Sequence, residues 1–156
     1  MNEATGSTAG SQGELDWLVA RFVERVVGIR SAVVVSSDGL LLACDSRLPS
    51  DARQLAAVSS GIVALSQGGA QVLELGTVRR TVVDMWHSTL VVMSVSDRAL
   101  LAVLTEEGCD LGVAGYHMSR LARQAGDALT PDLRDGPGGQ DIPVLPAACV
   151  PDAARP

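Results

Sequence analysis

One segment of the sequence, residues 54–73, contains no Asp, Glu, Lys or Arg and is bounded by Arg53 and Glu74. Its central part, LAAVSSGIVALSQGG (55–69), has the apolar periodicity of an α-helix. A helix on the surface of a small protein normally presents charged side chains to water. Because this segment has none, we expect it to be covered on more than one side.

The helix has two candidate buried faces. At 100° per residue, the larger apolar residues fall on one stripe, which is expected to face a β-sheet: Leu55, Val58, Ile62 and Leu65. A second stripe of mostly small residues is expected to contact a second copy of the chain: Ala52, Ala56, Ser59, Val63 and Gln67. Small side chains allow close approach, and twofold pairing of identical helices is the commonest solution. Two alternatives stay open, namely cover by a long tail or loop, and exposed alanines with no partner.

Composition narrows the class of protein. The chain has 156 residues, a formal charge of −6 and no lysine, and only 3% of its residues are aromatic. This length indicates one domain with an aliphatic core. The acidic balance argues against sequence-independent nucleic-acid binding, which needs a dense basic footprint. The charge-free segment is too rich in Ser, Gln and Gly for direct membrane insertion, and the polar residues 1–13 do not resemble a signal peptide. A cytoplasmic location is therefore expected.

Pattern and composition divide the chain into a disordered arm (1–13), a folded domain (14–134) and a disordered Pro/Gly-rich tail (135–156). Within the domain, helices are predicted at 14–28, 50–69 and 109–130. Strands are predicted at 31–37, 40–44, 78–86, 89–96 and 99–105. The resulting order is α-β-β-α-β-β-β-α, which predicts an α+β fold with a five-stranded antiparallel sheet and helices on both faces. Val33, Val34 and Val35 are successive apolar residues, so the first strand should be covered on both sides.

No catalytic or metal-binding pattern is present. The three cysteines, Cys44, Cys109 and Cys149, are odd in number and far apart, so they indicate neither a disulfide framework nor a zinc site. His87 and His117 have no second ligand type at a recognised spacing, and nothing in the sequence places either beside a cysteine. A phosphate-binding loop is excluded because that motif requires a lysine. The prediction is a non-enzymatic binding protein without metal or cofactor.

Four segments in order resemble the roadblock / dynein light chain family. They are LDWLVARFVERVVGIRSAVVVSSDGLLLA (15–43), LAAVSSGIVAL (55–65), VRRTVVDMWHSTLVVMSVSD (78–97) and CDLGVAGYHMSRLARQAGDALTPDLR (109–134). These segments are similar to those of actinobacterial members, which are typically encoded beside a sensor-kinase-like protein and a small Ras-like GTPase. The resemblance covers residues 14–134 and implies a roadblock-like fold with profilin-like layers.

The resemblance also implies a function. It points to a non-catalytic homodimer that regulates or binds a small Ras-like GTPase, with the central helices paired and the sheets able to join through strand 78–86. Membrane recruitment would come through partners, among them a sensor-kinase-like protein. The alternative is a structural adaptor for a kinase/GTPase complex that is indifferent to the bound nucleotide.

If the protein stimulates GTP hydrolysis, two mechanisms are open. An arginine supplied in trans could stabilise the transition state, with Arg53, Arg79 and Arg80 as the candidates. Alternatively, the paired helices could hold the switch loops of the GTPase in a competent arrangement without inserting a side chain. We favour the second mechanism, because no arginine has the loop context of a projecting finger.

Overall fold

The chain folds into three helices and five strands in the predicted order. This computed structural model describes residues 6–45, 47 and 50–133. The elements are α1 Gly6–Arg25, β1 Ile29–Ser36, β2 Leu41–Cys44, α2 Ala52–Val72, β3 Arg80–Met85, β4 Ser88–Ser96, β5 Ala99–Thr105 and α3 Leu111–Leu133. The predicted α+β class and element order are confirmed.

The strands form one sheet in the order β2-β1-β5-β4-β3, and every neighbouring pair is antiparallel. Strands β2 and β3 therefore lie at the two edges. The central strand pair, β1 and β5, is covered on both faces. Val33, Val34 and Val35 are each fully buried, and because successive side chains point to opposite sides of a strand, they serve two different cores. The prediction of a doubly covered first strand is confirmed.

Helices α1 and α3 pack together on one face of the sheet, and α2 packs alone on the other. The α1/α3 core contains Leu15, Phe22, Met118 and Leu121 together with Val34 of β1. Leu111 is 40% exposed. It is the first residue of α3, where the chain has only just left the β5–α3 loop.

Helix α1 begins earlier than predicted. It starts at Gly6, so the prediction of a disordered arm is wrong for residues 6–13, while residues 1–5 lie outside the described part. Gln12 gives one physical reason, because its side-chain amide donates a hydrogen bond to the Leu42 carbonyl on β2 at 3.0 Å. This contact ties a polar turn of helix, which composition alone marks as unstructured, to the edge of the sheet. The predicted tail, 135–156, lies outside the described residues.

Candidate interaction surface on helix α2

The side of α2 that faces the sheet consists of small residues. Ala52, Ala56 and Ser59 are completely buried and Val63 nearly so, and the three apolar ones share a core with aliphatic side chains of β1, β4 and β5. The sequence-based choice of faces is therefore wrong. The stripe predicted to meet a second copy packs on the chain's own sheet. The Val and Leu side chains of the sheet fill most of the space between the sheet and α2, so only small side chains of the helix fit there.

The larger residues lie around the other side of the helix. Val58 and Leu65, predicted to face the sheet, are 52% and 72% exposed, and Val72 is 83% exposed. Leu55 and Ile62 lie at the flank and are partly buried against the sheet core, and Gln67 is also half-buried. We define the α2 outer face by its exposed residues: Gln54, Ala57, Val58, Gly61, Ala64, Leu65, Gly68 and Val72.

The α2 outer face has a heptad spacing. Val58, Leu65 and Val72 recur every seven residues, and Gly61 and Gly68 follow the first two at a distance of three. In paired helices, positions with this spacing form the contact seam, and a large side chain of one helix enters a hole on the other. Glycine makes the deepest such hole, because it has no side chain. The outer face therefore alternates protruding aliphatic groups with depressions and carries no charge.

Nothing within the chain requires glycine at these two positions. An ideal Cβ built on Gly61 or Gly68 would meet no atom within 4 Å, and neither residue has a positive φ. Glycine in a helix interior costs roughly 0.5–1 kcal/mol relative to alanine. No contact within the domain offsets this loss of helix stability. The two glycines therefore indicate a close contact with a neighbouring molecule.

Two turns lie beside the outer face. Gly39 in the β1–β2 turn has φ +90, and a Cβ there would lie 2.8 Å from Ser60 Oγ, so this turn sits directly against the middle of α2. At the C-terminal end of α2, Glu74 adopts a left-handed φ of 54, and the Leu75 amide donates to the Ala70 carbonyl. This is a Schellman-type helix end. It leaves Leu75 75% exposed, which extends the apolar surface beyond the helix.

Comparison with known proteins identifies the architecture. The Roadblock/LC7 domain family matches residues 15–105. The crystal structure of a Roadblock/LC7 domain from Streptomyces avermitilis superposes with a TM-score of 0.70 at 33% identity, covering 73% of this chain and 96% of that one. The chain belongs to the Roadblock/LC7 family.

Two further proteins resemble the chain over most of their own length. A structure of MglB with a tetrameric arrangement has a TM-score of 0.68 at 20% identity and covers 82% of this chain and 92% of that one. An uncharacterized protein of Methanocaldococcus jannaschii is 28% identical over 104 residues, which span 65% of this chain and 89% of the relative.

The three candidate arginines of this Roadblock/LC7 domain do not converge. Arg53 is exposed in the first turn of α2, at the border of the outer face, and Arg79 is exposed just before β3. The guanidinium of Arg80 lies over α3, where a Cβ built on Gly115 would be 3.3 Å from Arg80 Nη1. Arg80 is therefore on the sheet face opposite α2. Only Arg53 adjoins the α2 outer face, and these three do not form a joint cationic site.

Both cysteines in the described part of the chain have a raised thiol pKa. Desolvation by burial, reinforced by Asp16 and Asp45, raises the pKa of Cys44. Burial likewise raises the pKa of Cys109, with Asp110 and Glu106 as further causes. Raised pKa values keep both thiols protonated and weakly nucleophilic. Cys149 lies outside the described residues.

The histidines are engaged in simple surface contacts. His87 Nδ1 is 3.5 Å from Glu107 Oε2, with both side chains largely exposed, and the His117 ring meets Tyr116 edge-on at 5.3 Å. Among residues 6–45, 47 and 50–133, no cluster of three or more potential metal ligands occurs. None of the helices in this part combines the length and hydropathy of a membrane span. The α2 outer face is thus the feature of the domain that most needs explanation.

Proposed function

We propose that this Roadblock/LC7 domain is a homodimeric regulator or binding partner of a small Ras-like GTPase in bacterial signalling. The α2 outer face supports this proposal, because it is uncharged and has aliphatic side chains every seven residues with glycines between them. Identity of 33% to the Streptomyces avermitilis domain supports the actinobacterial branch of the family. Members of that branch are expected beside a small GTPase and a sensor-kinase-like protein.

The energetics of self-association favour a contact larger than the helix pair. In a twofold dimer each side chain is buried twice. Full burial of Val or Leu is worth about 1.5–3 kcal/mol. Scaled by their exposed fractions, the two copies of Val58, Leu65 and Val72 contribute roughly 6–12 kcal/mol. Association itself costs about 4–15 kcal/mol, so helix pairing alone is marginal.

Two further surfaces can add to the contact. Leu73 and Leu75 are 66% and 75% exposed just past α2, and β3 is an edge strand, with a row of backbone groups free to pair with another strand. The tetrameric arrangement of MglB, which has this fold, supports self-association. We therefore infer that paired α2 helices are extended by one or both of these surfaces.

For the action on the GTPase, the geometry favours positioning over an inserted arginine. Arg53 is the only one of the three candidates beside the α2 outer face, and its position in a regular helical turn does not project it. A dimer that binds one arrangement of the switch loops more tightly shifts the GTPase toward that arrangement. The size of the effect equals the difference in affinity for the two arrangements. We propose this population shift as the mechanism.

Affinity capture from native lysate tests the proposal. The wild-type domain is compared in the presence of a non-hydrolysable GTP analogue and of GDP, beside Leu65→Arg, which places a charge on the outer face. Val27→Arg is the matched control, because Val27 is 94% exposed in the α1–β1 loop. We expect a small GTPase retained in one nucleotide state by the wild type and Val27→Arg, and lost from Leu65→Arg.

The other outcomes are equally specific. A GTPase retained equally in both states would replace the regulator with a nucleotide-indifferent adaptor. Retention by Leu65→Arg at the wild-type level would remove the α2 outer face from the explanation. Absence of any GTPase in either state would contradict the proposed partner.

A further inference from the structure

A groove lies between α1 and α3, on the side of the sheet opposite α2. It has a volume of about 300 Å³, and its walls combine apolar side chains, among them Phe22 and Leu121, with three arginines, Arg21, Arg25 and Arg120. Trp17 stands at its border and is 54% exposed. The guanidinium carbon of Arg21 lies 4.9 Å from the centre of a Trp17 ring, a cation–π contact that holds the indole in place.

The electrostatics of the groove are the reverse of those of the chain. The formal charge of the chain is −6, yet no Asp or Glu lines this groove. In the part of the chain that the structure describes, none of its three arginines forms an ion pair. An occupant with a carboxylate and compact apolar groups would therefore complement it in both charge and surface.

The sequence contains such a segment outside the described residues. Residues 141–146 read Asp-Ile-Pro-Val-Leu-Pro, with Pro143 and Pro146 in P-x-x-P spacing. Segments with this spacing favour the polyproline II helix, which docks into aromatic-lined grooves at low entropic cost. Asp141 would supply the carboxylate, and Val144 and Leu145 the apolar groups. Along the sequence, the negative charge of this segment comes first and its apolar, proline-spaced residues follow.

The chain is long enough for this contact within one molecule. The groove ends at Gln124 of α3, nine residues before Leu133, which corresponds to about 14 Å of helix. Asp141 follows Leu133 by eight residues, which reach at most about 26–29 Å when extended. The intervening sequence Gly-Pro-Gly-Gly (136–139) favours a chain reversal. The segment can therefore return along α3 to the groove.

We propose that residues 141–146 bind the groove between α1 and α3, with Asp141 facing its arginines and the Pro143–Pro146 segment against Trp17. The site is on the opposite side of the sheet from the α2 outer face, so it is compatible with a dimer and does not rest on the proposed GTPase function. The segment is that of the same chain, because the eight residues from Leu133 to Asp141 can span the distance back to the groove.

Tryptophan fluorescence of the full chain tests this directly. Trp86→Phe leaves Trp17 as the only tryptophan, and Trp86 is 94% exposed, so this background should fold normally. Docking that covers about half of the open indole surface should lower the acrylamide quenching constant of Trp17 about twofold relative to the undocked state. Adding Pro143→Ala and Pro146→Ala, or Asp141→Arg, should raise the constant to the undocked value. Combining Asp141→Arg with Arg25→Asp should restore the lower value.

The matched control is the reciprocal background, Trp17→Phe, in which Trp86 reports and tail substitutions should change nothing. Shielding within one chain should be unchanged on dilution. Shielding that is lost on dilution would assign the bound segment to a second copy and would contradict the proposal. Equal quenching of Trp17 with and without the tail substitutions would overturn the proposal, as would an equal change at Trp86, because that would report a global effect.

Discussion

The double substitution of Gly61 and Gly68 by alanine should have opposite effects on the stability of the single chain and on the affinity of the proposed dimer. A new Cβ at either position meets nothing within 4 Å. Alanine is favoured over glycine in a helix by about 0.8–1.0 kcal/mol, so the double variant should stabilise the monomer by roughly 2 kcal/mol. In the absence of a partner, the domain should therefore be more stable with alanine at these two positions of the outer face.

The opposite sign is expected for the dimer. If Gly61 and Gly68 receive aliphatic side chains from a second copy, the added methyl groups overfill the contact. Overpacking of a closely fitted contact costs about 1–3 kcal/mol, which corresponds to roughly a 5- to 150-fold weaker dimer, since 1.4 kcal/mol is a factor of ten. Sedimentation equilibrium gives the dimer Kd, and urea unfolding below that Kd gives the monomer stability.

Helix α1 provides the control for this experiment. Gly10 and Gly13 are helical, and a Cβ on either also meets nothing within 4 Å. Their double alanine variant should gain similar stability and keep the wild-type Kd. A Gly61→Ala/Gly68→Ala variant that dimerises as tightly as the wild type would refute the reasoning that these glycines serve a close helix contact.

Three further predictions concern the single chain. Glu74→Gly should raise the free energy of unfolding by about 1 kcal/mol, measured by urea denaturation, because Glu74 has φ 54 and an L residue in that region costs about 1–2 kcal/mol. Asp45→Ala should lower the same quantity by about 1–3 kcal/mol, since the buried carboxylate accepts the Ala32 amide at 2.9 Å and the amide would lose its partner. Peptide-resolved iodoacetamide labelling at pH 8 should be slower for Cys44 and Cys109 in the folded chain than in urea, because burial raises the pKa of each thiol. The folded state favours the protonated thiols, so their contribution to stability is complete below the pKa of the unfolded thiols and decreases as the pH rises through the raised pKa of the folded ones. Labelling rates equal to those in urea, or unchanged urea midpoints for the two variants, would contradict these assignments.

The sequence predicts the fold well where local pattern and tertiary contact agree. Three consecutive valines in β1 can only be buried in succession if both faces are covered, and they are. The Asp38-Gly39 turn has the left-handed glycine that such a hairpin needs. These features depend on residues close in sequence, so periodicity and turn chemistry are sufficient to find them.

The faces of α2 show where that reasoning fails. The larger apolar stripe of the helix, with Val58 and Leu65, is the one that the sequence predicts to face the sheet. The space between α2 and the sheet is too small for it, and this space favours Ala52 and Ala56. One signal could have corrected this. Gly61 and Gly68 lie on the same stripe as Val58 and Leu65, and glycine is a poor choice for filling a core. Seven-residue spacing with intervening glycines is more typical of a contact between helices.

Other features depend on contacts that no local pattern encodes. The early start of α1 depends on the Gln12 contact with β2, which is 30 residues away. The arginine groove requires α1 and α3 to be adjacent, which only the sheet topology determines. The sequence alone does not separate Arg80 from Arg79 as a candidate, but alternation along β3 directs Arg80 toward Gly115 of α3.

We propose that the outer face of α2, and not its inner face, joins two copies of the chain. Sedimentation velocity of the wild type, Leu65→Arg and Ala56→Arg distinguishes the two faces, with Val27→Arg as the exposed control and circular dichroism as the measure of folding. We expect the wild type and Val27→Arg to have twice the 16.1 kDa chain mass, and Leu65→Arg to be folded and monomeric. Ala56→Arg should lose its fold, because this completely buried position cannot hold a charge. A dimeric Leu65→Arg would show that the outer face does not join the copies, and a folded, monomeric Ala56→Arg would show that the inner face does.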